Sequence, residues 1–310
     1  MNLHVVGHLD RQARRWIAAS PLMFAAFGDA SGLGVTLGGG EAGFASADTY
    51  ELRLPVAQLD DAALAVPSQG FGALFLLPCI GETMRVIGTV RAVRDGQIHI
   101  AVEECYGHSD KALIRSEFWT SLLETLAPRG IHGLAAAHRF MALATVDAEG
   151  RVELSPKDDP AGVLARIEAG ETGRSGCAVD DIQHPAHTAA MVLVLGSGEV
   201  ASVSGRARIT ADRTAGSPFV FRDETSALAA VIEDADIAVG DSQTLLRLEL
   251  LRNRAPRQRM RRPLRDHAGM NPNEGLGTEL AKAALAVPGI PDLLRRGLET
   301  GGIDNCRAPL

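Results

Sequence analysis

The chain repeats itself. Met23–Gly32 (MFAAFGDASG) overlays Met141–Gly150 (MALATVDAEG) with five of ten residues identical, displaced by 118 positions. Gly81–Asp95 overlays Gly198–Asp212 with six of fifteen identical, displaced by 117. At ordinary residue frequencies about one identity is expected in such a window. Two separate windows at nearly one displacement therefore point to two diverged copies of a single unit. The 310 residues, 46% of them hydrophobic, are enough for two such units with a core each.

Each copy reads as short strands joined by tight turns. Phe140–Val146 is an apolar run, Asp147–Gly150 carries turn residues, and Arg151–Leu154 alternates polar and apolar, which predicts a hairpin. Met191–Leu195 predicts another strand, followed by a Gly-Ser-Gly turn and alternation over Val200–Ile209. The first copy mirrors this with Leu74–Leu77, a turn at Pro78–Gly81, alternation over Thr83–Val93, and a strand over Ile98–Val102. Short strands with tight turns predict antiparallel barrels. Helical spacing of Ala112, Leu113, Phe118, Leu122 and Leu126 predicts a linking helix over Asp110–Leu126 that stops before Pro128. A short helix is expected over Ser226–Glu233, and more helix from Thr278, interrupted between Pro288 and Pro291. The expected division is a first β-domain with its linker helix over 1–126, a second over 127–265, and a helical extension over 266–310.

Charge narrows the partners. The formal charge is −7 and the pI about 5.7, so the chain has no general electrostatic attraction to nucleic acid. The local exception is Arg252–Arg265, with seven arginines in fourteen residues, read as a solvated connector or as an anion site or clamp. Cys79, Cys105, Cys177 and Cys306 form no C-x-x-C pair, which argues against a zinc motif or a disulfide framework and fits reduced thiols in a cytoplasm. The first fifteen residues carry charge where a signal peptide needs an apolar run, and no segment is long enough to span a bilayer. His184 and His187 are the nearest approach to a metal motif, and Pro185 between them favours a turn.

Three segments carry a resemblance. One is Phe140–Asp147 through Gly150, running on into Ser155-Pro156-Lys157-Asp158. The second is Leu74–Pro78 with Gly81-Glu82-Thr83-Met84-Arg85-Val86-Ile87-Gly88. The third is His108 with Lys111–Ser116 and Trp119. Together they resemble the pyridoxamine-5′-phosphate-oxidase-like, FMN-binding split-barrel family, over most of residues 20–250. Where the family's run has Gly after the Lys, this chain has Asp158. Where the family carries an arginine-rich phosphate segment, this chain has Gly173-Arg174-Ser175-Gly176 and then Asp180-Asp181.

The resemblance implies a mainly β chain. Two Greek-key split barrels in tandem would form an intramolecular pseudo-dimer, with FMN in the groove between them. The resulting expectation is a flavin-dependent oxidoreductase acting on a small molecule, with association into a homodimer left open. A protein of the same fold that binds or regulates without flavin is the first alternative. A haem- or deazaflavin-binding relative, with His108, His132, His138 or His187 as axial candidates, is the second. The residues expected at the cofactor are Thr83, Arg85, Trp119, Ser155, Lys157 and Arg174. Thr83 and Arg85 share a strand face, and their second-copy counterparts are Val200 and Ser202. The first-copy stretch aligned with Ser155–Lys157 is Leu37-Gly38-Gly39, without charge. One charged groove per chain is therefore expected. Arg85 also has Glu82 and Glu103 nearby as possible ion-pair partners.

Overall fold

Leu22-Met23-Phe24-Ala25-Ala26-Phe27 is apolar at every position, the pattern of a strand buried on both faces rather than one. The computed structural model places it so. It describes residues 5–78, 81–108, 112–119, 128–158, 161, 165–167, 175–177, 186–210 and 229–254. Met23, Ala25 and Phe27 enter a core within the first half of the chain, while Leu22, Phe24 and Ala26 enter a second core shared with the other half.

The first half begins with helix α1 (Arg11–Ala19), capped by Asp10, whose side chain accepts from the backbone N–H of Ala13 at 2.7 Å. Trp16 anchors α1 by donating its indole N–H to the carbonyl of Phe75 at 3.1 Å. Seven strands follow: β1 (Leu22–Asp29), β2 (Gly32–Gly39), β3 (Ser46–Ala47), β4 (Glu51–Pro55), β5 (Gly70–Leu76), β6 (Thr83–Arg94) and β7 (Gln97–His108). They form one antiparallel sheet in the order β2-β1-β5-β6-β7-β4-β3. Side chains from β1, β4, β5, β6 and β7 share the core with Trp16 and Ile17, so the sheet curls around it.

A short helix α2 (Ala112–Arg115) leaves β7, and α3 (Gly130–Ala137) precedes the second sheet. Its strands are β8 (Phe140–Val146), β9 (Val152–Asp158), β10 (Ala165–Ile167), β11 (Ser175–Cys177), β12 (Ala186–Leu193), β13 (Glu199–Thr210) and β14 (Ala229–Asp241). The order is β10-β11-β14-β13-β12-β8-β9. Read from the other edge, this is the order of the first sheet, strand for strand. Helix α4 (Gln243–Arg254) follows β14 as α2 follows β7.

Pairing makes the repeat residue-specific. Leu74 faces Arg85 across β5 and β6, and Met191 faces Ser202 across β12 and β13. Each long pair shifts register at the same place: between Ile87 and Gly88 against β7, and between Ser204 and Arg206 against β14. A bulge shared by the copies bends both sheets alike. Met23 faces Gly38 and Met141 faces Lys157, so Lys157 corresponds to Gly38 and Ser155 to Thr36. The sequence alignment there is off by one because five residues separate the pair Val146 and Val152, whereas four separate the matching pair Gly28 and Leu33.

The halves meet along β1, β2 and β5 from one side and β8, β9 and β12 from the other, through Phe24, Val35, Leu37, Leu74, Phe140, Ala142, Leu154, Met191 and Leu193. Phe24 and Phe140 lie 5.5 Å apart between ring centroids, and Phe118 lies 4.9 Å from Phe140. Burying each such side chain contributes about 1.5–3 kcal/mol. Glycine allows close approach: a Cβ on Gly70 would sit 2.2 Å from the carbonyl oxygen of Gly150, and one on Gly72 2.7 Å from that of Val152.

The expected mainly β architecture with two related units is present as two antiparallel sheets. The sheets are open: their edge strands, β2 and β3 in one and β9 and β10 in the other, do not pair to close a barrel. The helix expected over Ser226–Glu233 is corrected. Residues from Ala229 belong to β14, because Ala229–Glu233 pairs with Arg206–Thr210 of β13, and ladder pairing overrides a weak local preference. Of the linking helix expected over Asp110–Leu126, Ala112–Arg115 is helical and Ser116–Trp119 is turn; the remainder lies outside the described residues, as do the extension over 266–310 and residues 255–265 of the arginine-rich segment. No helix among the described residues is long and apolar enough to cross a membrane.

Candidate functional site at the seam between the halves

Arg85 sits on β6 with its side chain aimed at the second half. It is 3% exposed. A guanidinium taken out of water needs its charge and its five N–H groups met. Nη1 donates to the Tyr106 hydroxyl at 2.8 Å and forms an ion pair with Glu153. Nη2 donates to Ser155 Oγ at 3.2 Å. The guanidinium also lies 5.3 Å from the Tyr106 ring centroid, a cation–π distance. Tyr106 comes from β7, directly opposite Arg85, and Glu153 and Ser155 come from β9. The cluster therefore exists only where the two halves meet.

The alternation of β9 explains its side of the site. Glu153, Ser155 and Lys157 are two apart and share one face, while Val152 and Leu154 point into the shared core. Thr83, two residues before Arg85, is fully buried. Lys157 lies on the same β9 face, two residues beyond Ser155. Trp119 packs at the margin of the shared core, edge-on to Phe118 at 5.1 Å.

Two donors along the contact between the halves are buried and have no hydrogen-bond partner among the described residues: Arg85 Nε, and Trp119 Nε1 at the margin of the shared core. Orphan donors of this kind cost stability unless a ligand or water meets them. Burial pushes the Tyr106 phenol above its ordinary pKa, while the guanidinium beside it acts the other way. Burial likewise raises Glu82, which precedes Thr83. Ion pairs continue along the seam. Arg151 reaches Glu104 at 2.5 Å, and Arg115 of α2 makes two hydrogen bonds of 2.6 Å to Asp158.

The related seam on the other side of the molecule is built differently. By register its positions are Val200 and Ser202 for Thr83 and Arg85, Ala238 for Tyr106, and Gly34, Thr36 and Gly38 for Glu153, Ser155 and Lys157. None carries charge. Helix α4 lies against this edge. Asp60 holds its N-terminus, accepting from the backbone N–H of Thr244 at 2.8 Å and from the Ser242 hydroxyl at 2.5 Å. Arg247 donates to the carbonyls of Gly39 at 2.9 Å and Gln58 at 3.1 Å.

Of the expected site residues, Arg85 and Ser155 are in direct contact, Thr83 and Lys157 flank them on the same two strands, and Trp119 follows the helix that grips the end of β9. Arg174 lies outside the described residues. Neither neighbour expected to pair with Arg85 does so: Glu103 accepts from Thr89 at 2.6 Å, and the partner is Glu153 of the other half. Glu153 and Tyr106 were missed. Glu153 shares the parity of Ser155 and Lys157, a signal present in the sequence; Tyr106 needs the β6–β7 register. Of the four histidines weighed as axial ligands, His138 is fully buried, with Nδ1 3.0 Å from the Leu134 carbonyl and Nε2 without a partner among the described residues, and burial lowers its pKa. His132 is exposed. Among the described residues no group of three metal-ligating side chains occurs. No family model matches the chain, and neither a curated protein nor a solved structure matches it.

Proposed function

We propose that the two halves are split barrels joined as an intramolecular pseudo-dimer, and that the seam around Arg85 is a flavin site taking FMN, one per chain. The contact of Arg85 with Ser155, seventy residues away in the other copy, carries this reading. It is supported by the shared strand order, by the matching bulges, and by the apolar contact of the outer faces of β1 and β8.

The donor set suits such a group. Flavin presents ring carbonyls and nitrogens as acceptors together with a phosphate, and the seam presents Arg85 Nε, Trp119 Nε1, Ser155 and Lys157. Bound FMN would supply hydride and electron transfer. The chain's own residues do the positioning. Thr83 and Arg85 hold the acceptor edge, Lys157 contributes cationic charge, and Phe118 and Trp119 exclude water from one side. No carboxylate–histidine pair is needed for this, since the cofactor carries the chemistry.

A second reading is favoured by Glu153. It already balances the charge of Arg85, as in a protein of this fold that binds or regulates without flavin. The visible spectrum of the purified full-length chain, before and after adding FMN, separates the two. Flavin bands that vanish in Arg85→Ala and weaken in Arg85→Lys are the expected result. A chain that stays colourless in excess FMN overturns the flavin reading, and a Soret band replaces it with haem.

A further inference from the structure

We infer that Glu153 is the residue that sets which charge the seam accepts: its carboxylate occupies the guanidinium of Arg85, and an anionic group enters by displacing it. The inference rests on the seam being a ligand site, but not on flavin being the ligand.

Three features lead there. The first is the mismatch in burial between the partners. The Arg85 side chain is 4% exposed and the Glu153 side chain 52%. A buried cation is fixed in place by its surroundings, whereas a half-exposed carboxylate on the end of a rotatable chain can swing into water once an incoming anion meets the charge of the guanidinium. Of the pair, Glu153 is the member free to leave.

The second is that Arg85 is held by more than its ion pair. Tyr106 and Ser155 keep two of its N–H groups, and the ring of Tyr106 keeps its face. With Glu153 turned away, the guanidinium stays aimed at the same point. Its orphan Nε–H adds a donor that the carboxylate does not use. An arginine with a preset fork, a departing carboxylate and an unused donor is suited to a phosphate or carboxylate group of a ligand.

The third is the comparison within the chain. Glu153 corresponds to Gly34 in the first copy, where no side chain exists and Leu64 fills the space. The first-copy position carries no carboxylate, and the arginine opposite it is replaced by Ser202. The two charges are present together in one seam and absent together from the other.

The test uses the full-length chain, with Glu153→Gln and Glu153→Asp as variants and Glu104→Gln as the control. Glu104 lies on the same seam but pairs with Arg151, so removing its charge reports the general field alone. Inorganic phosphate and FMN are each titrated by calorimetry. Glu153→Gln should bind phosphate about five- to tenfold more tightly than the natural chain, as expected for removing a half-exposed carboxylate that competes for Arg85. Glu153→Asp, with a shorter reach and the charge retained, should show a smaller gain and serves if Glu153→Gln does not fold. Glu104→Gln should change affinity by less than about twofold.

Phosphate affinity that is the same in both Glu153 variants as in the natural chain, or binding in none of them, overturns the inference. An equal gain in Glu104→Gln overturns it too. FMN uptake unaltered by Glu153→Gln leaves the flavin reading standing and removes this one. Tighter phosphate binding without FMN uptake in any variant does the reverse.

Discussion

Arg115 and Asp158 make two hydrogen bonds of 2.6 Å, tying the helix that leaves the first sheet to the end of the second strand of the other sheet. By register Asp158 corresponds to Gly39, and Gly39 offers its carbonyl to Arg247 of α4 at 2.9 Å. Each copy therefore sends an arginine from the helix after its last strand onto the same place in the other copy. The first contact is an ion pair with a largely exposed arginine, and the second reaches backbone carbonyls. Arg115→Ala should cost about 0.5–1 kcal/mol. Arg247→Ala, which strips the partner from Gly39 and Gln58, should cost about 1–3 kcal/mol. Urea unfolding of the two variants checks the order, and equal costs would contradict it.

Asp60 makes a related prediction. It accepts from the Thr244 N–H and hydroxyl at the start of α4. Asp60→Ala should lower stability by about 1–2 kcal/mol, because it takes the acceptor from the Thr244 N–H and from the Ser242 hydroxyl at the start of α4. Hydrogen exchange should speed up in α4 before it does in β12 or β13.

The halves approach closely at two glycines of β5. Gly72→Ala places a methyl carbon 2.7 Å from the Val152 carbonyl oxygen, and Gly70→Ala is worse, with its methyl 2.2 Å from the Gly150 carbonyl oxygen. Either should destabilise by about 1–3 kcal/mol through overpacking. Gly107→Ala, where nothing lies within 4 Å of the added carbon, is the control and should be nearly neutral. If the two β5 variants unfold like the control, the halves do not meet as described.

Burial pushes the Cys105 thiol up to about 12. The folded chain therefore keeps a proton that the unfolded chain gives up near pH 9, and the resulting stability is present below that pH. It is lost as pH rises from about 9 towards about 12. Cys105→Ala should flatten that alkaline slope in a denaturation series. At neutral pH, alkylation followed by peptide mapping should leave Cys105 unmodified until the chain unfolds.

His138 works in the opposite direction. Burial lowers its pKa, so the folded state favours the neutral ring. Its stabilising share is present above the ordinary histidine range and falls away as acid drives protonation. Unfolding midpoints of His138→Gln should depend less on pH below about 6.5 than those of the natural chain.

Much of this was legible in the residues. The repeat was visible because turns and bulges need particular residue types: Asp-x-x-Gly after the first strand, and Gly88 and Gly205 within the long ones. Arg85 and Lys157 stood out because their counterparts in the sequence alignment, Ser202 and Gly39, carry no charge. The ion pair to Glu153 did not stand out, since it depends on how two separate sheets face each other, and no local pattern encodes that. Leu245 and Leu248 of α4 pack into the shared core, and its local cap is a residue type that sequence offers, Ser242, which accepts from the Leu245 N–H at 3.1 Å. Its second anchor, Asp60, lies 184 positions from Thr244, and no local pattern encodes that.

A symmetric pair of identical chains must carry every substitution twice, once in each of its two equivalent clefts. Covalent duplication removes that coupling. In this molecule a single codon change alters one seam and spares the other, so one seam carries Arg85 and Glu153 while its twin anchors α4 through Asp60 and Arg247. Mutational scans of this chain should accordingly show paired positions with unequal tolerance, Glu153 against Gly34 and Arg85 against Ser202, inside one and the same polypeptide.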